Sequence, residues 1–556
     1  MHRDDRRLGS VVLCARSSPL MFGLTRHVPV LVLALGLVAA ACADDEADAE
    51  PGPTVAPSTT VPDAVGDGVD GVDGVDDRVD PVPTATVTGP VSSTNPPVLP
   101  QPAVALPEGY VEDEFFIGGE AIRYAAVGEH GADGLWDVES DGRADFRTRI
   151  LVRRPPADRF SGTVVVEWLN VSAVESSPDW GYLSEEIGAS GHGYVAVSVQ
   201  ALGVIGGEPI LTVEVDEETA AEAGADPDDA DTGGLVNIDP ERYGTLVHPG
   251  DAYAYDIFTH VGRVLEVDEG GVLGGLEATT LLALGESQSA GFLTTYVNAV
   301  HPTVDVFDAF LVHSRGAGGA PLGGEFGDDT SFVDRGARIR TDLDEPVFMV
   351  EAETDLTVLG YHLARQPDTD SIRTWELAGT AHADAHIIRA ILGGSRDASV
   401  GSFLGCADPI NTGPHHEGVQ AALRRLVEWV EEGTAPPAGE RIMTTDSDPV
   451  AIVRDELGFA LGGVRNPLVD VPVVVTTGDP WTDVDLDSDE SLDVCALFGQ
   501  TLPIEPTGLT ELHGSPEGYV AAFDAAATAA VSAGFLLDYD AEQLRREAAA
   551  NQGLFG

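Results

Sequence analysis

Ser287 lies in the segment 285–289 (GESQS), directly between the apolar run 280–284 and a stretch of helical pattern over 288–300. A serine at a sharp strand-to-helix turn forms a nucleophile elbow, which exposes its hydroxyl at the carboxyl end of the strand. Small residues at Gly285 and Ser289 let strand and helix approach closely, although the second of these positions is usually glycine. The segment therefore predicts a serine nucleophile, and a serine-rich strand–helix turn without catalytic function is the alternative.

A serine hydroxyl needs a base to take its proton and a carboxylate to orient that base. In α/β-hydrolases the three follow the chain order serine, acid, histidine. Asp355 follows the apolar run 346–352, and His382 follows the next predicted strand, 371–379. We therefore expect His382 to be the general base and Asp355 the acid. The alternatives are Glu353 and then Asp384 for the acid, and His386 for the base.

An oxyanion hole for this serine needs two backbone amides aimed at the developing negative charge. The first is expected from Gln288, which directly follows the nucleophile. The second should come from the loop after the apolar strand 163–168, where Leu169, Asn170 and Val171 are the candidates. We select Asn170 among these three.

Other clusters of residues that could bind a metal or a cofactor give weaker evidence for a site. His415-His416 lies near Asp408 and Glu417, but there is no HExxH motif and no third ligand at metal-binding spacing, so a helix start is the favoured interpretation. The glycine-rich segments 270–275 and 316–324 lack the strand–helix context of a dinucleotide site. The sequence therefore predicts no metal and no cofactor.

The charge composition excludes several classes of function. Thirty arginines and no lysine oppose 93 acidic residues, giving a formal net charge of -63. Without lysine there can be no Schiff-base lysine, P-loop lysine or Ser-Lys dyad. A nucleic-acid partner is also not expected, because so acidic a chain cannot neutralise a phosphate backbone.

The first 42 residues are typical of an export signal. Arg26 and His27 precede an apolar segment, 28–41, which ends at Cys42, and Met21 is the better start position. Small residues before Cys42 resemble a bacterial lipobox, although Ala39 stands where leucine or valine is usual. We expect lipidation of Cys42, which would make the N-terminus the chain's only membrane attachment, with ordinary cleavage and secretion as the alternative.

The remaining cysteines and the linker fit an exported protein. Cys406 and Cys495 are the even pair left in the folded part, so we expect one disulfide, with two free thiols as the alternative. Residues 43–105 are rich in Pro, Gly, Thr and Asp and contain no aromatic residue. They are predicted to form a disordered, self-repelling stalk before a folded domain over 106–556.

Strand and helix patterns alternate through the folded part. This alternation predicts an α/β fold with a mostly parallel central sheet and helices on both faces. Residues 203–250 are Gly- and Asp-rich and are expected to form an insertion or cap. Residues 400–556 are expected to form a C-terminal extension, with helices over 417–432 and, as a pair, over 516–550.

Several segments together resemble the exported bacterial proteins known as α/β-hydrolase-domain proteins. They include TVVVEWLNVS, DPERYGTLVHPGDAYAYDIF, GESQSAGFLTTYVNAVHP, LVHSRGAG, ELAGTAHAD, INTGPHH, GGVRNPLVDVP and GFLLDYDAEQL. The resemblance implies an α/β-hydrolase fold, with Ser287 as nucleophile, His382 as base and, less directly, Asp355 as acid. It implies no substrate.

Together these features predict an extracytoplasmic serine hydrolase that cleaves carboxylic esters through an acyl-enzyme. Its partner would be a small or polymeric ester. A non-catalytic surface lipoprotein that binds a ligand on a hydrolase fold is the alternative from another class, and a peptidase or acyltransferase could use the same triad.

Overall fold

The computed structural model describes residues 85–207, 233–323, 336–391, 406–481 and 494–555. The predicted signal segment, Cys42 and the stalk as far as residue 84 lie outside the described residues, so those expectations remain predictions.

A nine-stranded sheet forms the centre of the molecule, in the order β1-β2-β3-β5-β4-β6-β7-β8-β9. Its strands are β1 Thr86–Thr88, β2 Val111–Val127, β3 Asp137–Arg154, β4 Thr163–Trp168, β5 Gly193–Val197, β6 Thr280–Glu286, β7 Ala309–His313, β8 Val347–Glu351 and β9 Ile372–Glu376. The first three strands are antiparallel, and β5, β4, β6, β7, β8 and β9 run parallel. The parallel strands are short, apolar and buried on both faces, as the continuous hydrophobic runs of the sequence predict.

Helices cover both faces of this sheet. The α-helices are α1 Pro178–Ser190, α2 Ala201–Ile205, α3 Leu235–Ile238, α4 Pro240–Tyr243, α5 Ala254–Glu266, α6 Gln288–Thr295, α7 His301–Val304, α8 Glu353–Thr357, α9 Ala385–Ile391, α10 His415–Glu432, α11 Pro467–Asp470, α12 Pro506–His513, α13 Pro516–Ala533 and α14 Asp538–Ala550. α5 and α6 pack in one large hydrophobic cluster, and α1 and α10 pack in another. The predicted α/β architecture is thus confirmed. Within the described part of the chain, no helix combines the length and hydropathy needed to cross a bilayer.

The ordered domain begins earlier than the expected boundary at residue 105. β1 pairs antiparallel with β2, with Val87 opposite Ile117, and the Val91 amide donates to the Glu114 carbonyl at 2.7 Å. Composition suggested a stalk because the segment is rich in Pro, Gly, Thr and Asp and has no aromatic residue. Its described part is ordered by backbone hydrogen bonds to the edge of the sheet and by Val87, Val91 and Val98, which pack against hydrophobic clusters, and composition does not reveal these contacts.

The insertion and the extension also differ in detail from the prediction. In the described part of 203–250, α3 and α4 contribute Leu235 and Tyr243 to a small cluster with Phe116. α10 lies within the predicted extension 400–556, yet it packs on the sheet as a helix of the main domain. Beyond it, β10 Val474–Thr477 pairs with β11 Gln500–Pro503, and α12 to α14 share a separate hydrophobic core.

The predicted disulfide is confirmed. Cys406 and Cys495 are bonded, with their Cα atoms 5.5 Å apart. The bond ties the segment before α10 to the segment before β11. It therefore crosslinks the main domain to its C-terminal part.

Candidate active site

The turn between β6 and α6 has the geometry of a nucleophile elbow. Ser287 takes φ 59° and ψ −117°, a backbone conformation that costs energy in any residue with a side chain. A Cβ placed on Gly285 would lie 3.1 Å from the backbone of Ser289, so a larger residue would push strand and helix apart at this close approach. The Ser287 amide donates to the His313 carbonyl of β7 at 2.9 Å, which fixes the turn against the neighbouring strand.

Ser287, His382 and Asp355 form one chain of hydrogen bonds. His382 Nε2 lies 2.9 Å from Ser287 Oγ, and His382 Nδ1 lies 2.6 Å from Asp355 Oδ1. The other Asp355 oxygen, Oδ2, accepts the Ala352 amide at 2.6 Å, which holds the carboxylate at the start of α8. The structure thus brings together the three residues that the sequence selected, at the carboxyl ends of parallel strands.

The electrostatics of His382 suit a proton acceptor. Burial alone lowers the pKa of this imidazole, but the charge and hydrogen bond of Asp355, with a further contribution from Glu286, leave it above its usual value. A carboxylate at Nδ1 also fixes the tautomer that leaves Nε2 facing the serine hydroxyl. An imidazolium formed at this position would therefore be stabilised.

Glu353, the alternative acid, has a different set of partners. Its carboxylate accepts the Gly379 amide at 2.6 Å and the Gly478 amide at 2.9 Å, and lies 2.9 Å from Arg454 Nη2. These contacts join the loop before His382 to the C-terminal part of the chain. Glu353 therefore connects two segments of the structure, whereas Asp355 faces the imidazole.

The amide expected from Asn170 is used elsewhere. Its N–H donates to the Ser176 carbonyl at 2.9 Å, and the Ser176 amide donates back to the Asn170 carbonyl at 2.8 Å. This reciprocal bridge closes the loop after β4, so the Asn170 amide cannot also face an oxyanion, and the selection of Asn170 for that role is wrong. The side chain of Asn170 instead reaches the elbow, where its Nδ2 donates to the Glu286 carbonyl at 3.1 Å.

Val171 and Gln288 remain as the candidates for the two amides of the oxyanion hole. Gln288 is the first residue of α6, so its amide has no acceptor within the helix. The Val171 amide points to the Gln288 side chain, whose Oε1 lies 3.4 Å away. The Leu169 amide, the remaining candidate, donates to the Val197 carbonyl and is also unavailable to substrate.

A buried polar network behind these amides was not predicted from the sequence. Gln288 Nε2 donates to Gln200 Oε1 at 3.0 Å, and Trp168 Nε1 donates to the same oxygen at 3.0 Å. Gln200 in turn donates to Asp251 at 3.1 Å. Gln200 ends the apolar segment 194–200, and a polar residue at the carboxyl end of a predicted strand was the signal that could have identified it.

Glu286 is the second residue that sequence reasoning missed. It is the last residue of β6, and its Oε1 lies 3.6 Å from His382 Nε2. Burial is the main reason that its pKa is raised to about 8. An acidic residue directly before the nucleophile was visible in the motif, but the motif alone does not show that its side chain faces the base.

The histidines considered as metal ligands have other partners. α10 begins at His415, as the favoured interpretation predicted, and His415 Nε2 lies 2.9 Å from Nε2 of His313. His313 Nδ1 lies 2.7 Å from Asp179, and the ring of His416 stacks on a neighbouring histidine ring. A separate group with ligand-like spacing lies at the amino ends of β7 and β8, away from the elbow: His301, Asp305 and Glu345.

Comparison with known families now decides the class of protein. Residues 79–546 match the family model described as "Alpha/beta hydrolase domain". The chain belongs to this α/β-hydrolase family. The match covers the whole described sheet, the elbow and the C-terminal part, so those parts lie within one family domain.

Solved structures of hydrolases share features with this α/β-hydrolase at low similarity. A glucuronoyl esterase from Solibacter usitatus is 13% identical, with a TM-score of 0.24, over 53% of this chain and 83% of that one. An esterase from Pyrobaculum calidifontis is 12% identical, with a TM-score of 0.25, over 47% and 78%. A glucuronoyl esterase from Teredinibacter turnerae is 12% identical, with a TM-score of 0.25, over 58% and 78%. A search of curated proteins finds no match.

Proposed function

We propose that this α/β-hydrolase is a serine hydrolase that cleaves carboxylic esters through an acyl-enzyme. The observation that carries the proposal is the hydrogen-bonded chain from Ser287 through His382 to Asp355, located at a strained elbow. A strained backbone that persists in a folded protein is typical of functional sites, where the surrounding structure holds it in place.

Each residue has a defined role in the proposed reaction. Ser287 Oγ attacks the ester carbonyl while His382 Nε2 takes its proton, and Asp355 stabilises the imidazolium through Nδ1. The tetrahedral intermediate then expels the alcohol, which receives that proton from His382. The amides of Gln288 and Val171 would hold the oxyanion, in place of the Asn170 amide expected from the sequence.

The Val171 assignment requires a small movement of a side chain. Gln288 Oε1 lies 3.4 Å from the Val171 amide, a long hydrogen bond. A carbonyl oxygen of the substrate would replace this weak partner, and the negative charge that develops on it would make the new bond stronger. When the Gln288 oxygen is displaced, Gln288 Nε2 still donates its hydrogen bond to Gln200 Oε1, which holds the side chain in place.

We also propose that the enzyme works outside the cytoplasm, held by a lipid on Cys42. A disulfide in the folded domain suits an oxidising compartment, which supports export. A chain of this negative charge would be repelled by anionic headgroups, so a covalent lipid would be needed to retain it at a membrane. Cys42→Ala should therefore move the activity from the membrane fraction to the medium, whereas wild-type protein found in the medium with unmodified Cys42 would refute the anchor.

A panel of p-nitrophenyl esters of increasing acyl length tests the proposed activity. The wild-type protein should release p-nitrophenol, and Ser287→Ala should lose about 10⁴–10⁶-fold in rate. Ser289→Ala is the matched control, because it removes a nearby buried hydroxyl that is not part of the hydrogen-bonded chain. Activity that survives Ser287→Ala would refute the serine mechanism, and a folded wild-type protein inactive on every ester would favour a ligand-binding function.

A further inference from the structure

Glu286 places a second carboxyl group at the reacting side of His382. Its Oε1 lies 3.6 Å from His382 Nε2, the same nitrogen that lies 2.9 Å from Ser287 Oγ. Asp355 occupies the other ring nitrogen, so the imidazole lies between two acidic side chains. Of these two carboxyl groups, Glu286 is the one that faces the nitrogen at which protons are exchanged.

The orientation of Glu286 is fixed by its surroundings. Asn170 Nδ2 lies 3.3 Å from Glu286 Oε2 and donates to the Glu286 backbone carbonyl, so one side chain holds both ends of the residue. Glu286 is 7% exposed, and among the described residues no arginine forms an ion pair with it. One carboxyl oxygen is thus held by the loop after β4, while the other faces the base.

We propose that Glu286 positions the water that hydrolyses the acyl-enzyme, an inference that rests on the proposed function. Once Ser287 Oγ carries the acyl group, it no longer donates a hydrogen bond to His382 Nε2. That nitrogen and Glu286 Oε1 are close enough for one water to hydrogen-bond with both. The water would then lie beside the acylated oxygen, on the side from which it must attack.

The step balances without a further reactant. The water oxygen forms a bond to the acyl carbon while His382 Nε2 takes one of its protons. Glu286 Oε1 accepts a hydrogen bond from the second O–H of the water and is itself unchanged. The bond from the acyl carbon to Ser287 Oγ then breaks, the proton returns from His382 to Oγ, and the carboxylic acid leaves.

The charge state of Glu286 suits this role. Burial raises its pKa most, the charges of Asp179 and Asp355 raise it further, and His382 lowers it in part, giving a value of about 8. The charge of Glu286 also contributes to the raised pKa of Tyr182 of α1. Glu286 therefore keeps part of its negative charge near pH 7, in agreement with its contribution to the raised pKa of His382, and its carboxylate form accepts from Asn170 at Oε2 and from the water at Oε1.

Two substitutions separate this role from a structural one. Glu286→Gln keeps the size and polarity of the side chain, but Asn170 Nδ2 would hold its one oxygen and leave an NH2 donor facing the base, whereas Glu286→Leu fills a similar volume without polar atoms. Glu351→Gln is the matched control, because Glu351 is a buried glutamate at the end of β8, a parallel strand that β7 separates from β6, and it lies outside the elbow. All three variants can be compared with the full-length wild-type enzyme.

The experiment measures attack and hydrolysis separately. The rate of labelling by a fluorophosphonate reports attack by Ser287, which needs no water. The lifetime of the acyl-enzyme is followed by intact mass after acylation with p-nitrophenyl butyrate and rapid removal of the ester. Glu286→Leu should lengthen this lifetime about tenfold, the order expected for losing one hydrogen bond, with labelling unchanged within about twofold. Glu286→Gln should also lengthen the lifetime, because it presents no acceptor to the water, whereas Glu351→Gln should leave both rates near those of the wild type.

The results distinguish failure of this inference from failure of the proposed function. An unchanged acyl-enzyme lifetime in Glu286→Leu, or labelling slowed by the same factor as hydrolysis, would overturn the role of Glu286 while leaving Ser287 as nucleophile. A wild-type enzyme that is neither labelled nor acylated would overturn the proposed function itself. A wild-type lifetime in Glu286→Gln would also contradict the role as a hydrogen-bond acceptor.

Discussion

Glu353 and Asp355 are neighbouring buried carboxylates for which the structure predicts opposite mutant phenotypes. Glu353→Gln keeps the size of the side chain but removes the charge that faces Arg454, and it leaves one of the two glycine amides, of Gly379 or Gly478, without an acceptor. Breaking a buried ion pair by removing one partner costs about 3–5 kcal/mol. Arg454 retains its ion pair with Asp479, so the lower end, about 3 kcal/mol, is expected.

Asp355→Asn should instead damage catalysis with little loss of stability. An amide at this position can still accept the Ala352 N–H, but it no longer stabilises an imidazolium at His382. Removing the charge of a triad acid in this way costs about 10⁴ in kcat. The structure therefore predicts a loss of stability for Glu353→Gln and a loss of kcat for Asp355→Asn.

Thermal unfolding followed by circular dichroism and ester hydrolysis well below the transition measure these two quantities. Glu353→Gln should unfold at a lower temperature and keep kcat within about tenfold of wild type, an allowance for indirect effects on the His382 loop. Asp355→Asn should unfold near the wild-type temperature. A Glu353→Gln enzyme with wild-type unfolding and a 10³-fold or greater loss of kcat would refute the reasoning and transfer the acid role to Glu353.

Three further predictions concern stability and pH. Burial, with Glu185 and Glu186 nearby, raises the pKa of Asp540 from 3.8 to about 8. The proton that Asp540 holds in the folded state therefore stabilises the protein fully below about pH 4. This stability is lost as the pH rises to about 8. Over that range the unfolding free energy of the wild type should fall by about 1.4 kcal/mol per pH unit because of Asp540, and Asp540→Asn should remove this part of the fall. Asp538→Asn is the control, because Asp538 is exposed and its substitution should leave the fall unchanged. Parallel pH profiles for the two variants would contradict this. Replacing Cys406 and Cys495 by alanine should lower the unfolding free energy by about 3–5 kcal/mol in the chain-entropy model, since the bond joins residues 89 apart, and unchanged urea unfolding would refute it. Activity should fall with decreasing pH as His382 is protonated, at a pKa above the usual imidazole value, and a kcat/KM profile flat from pH 8 to pH 5 would contradict its role as base.

Ser287 and His382 could be assigned to one site from the sequence because their signals are local. The elbow depends on small residues adjacent to Ser287, and its backbone strain follows from the strand-to-helix turn itself. His382 follows a strand that pairs in parallel with the one before Asp355, so chain order predicts that both lie at the same edge of the sheet.

The remaining features depend on contacts between distant segments. Glu353 and Asp355 are two residues apart, and contacts with distant segments distinguish them: Glu353 binds Gly478 and Arg454, whereas Asp355 binds His382. The Asn170 amide was misassigned because its bridge to Ser176 is a property of the folded loop. The strand at the start of the domain was missed for the same reason, since its order comes from pairing with an edge strand.

The central claim, that Ser287 is an activated nucleophile, is tested most directly by covalent labelling. The full-length protein is treated with a fluorophosphonate, digested, and the modified peptide is sequenced by mass spectrometry. One adduct per chain is expected, located on Ser287. Its rate of formation should fall with protonation of His382, and it should be absent from Ser287→Ala but retained in Ser289→Ala. Failure of the folded wild-type protein to react, or an adduct that persists in Ser287→Ala, would contradict the central claim.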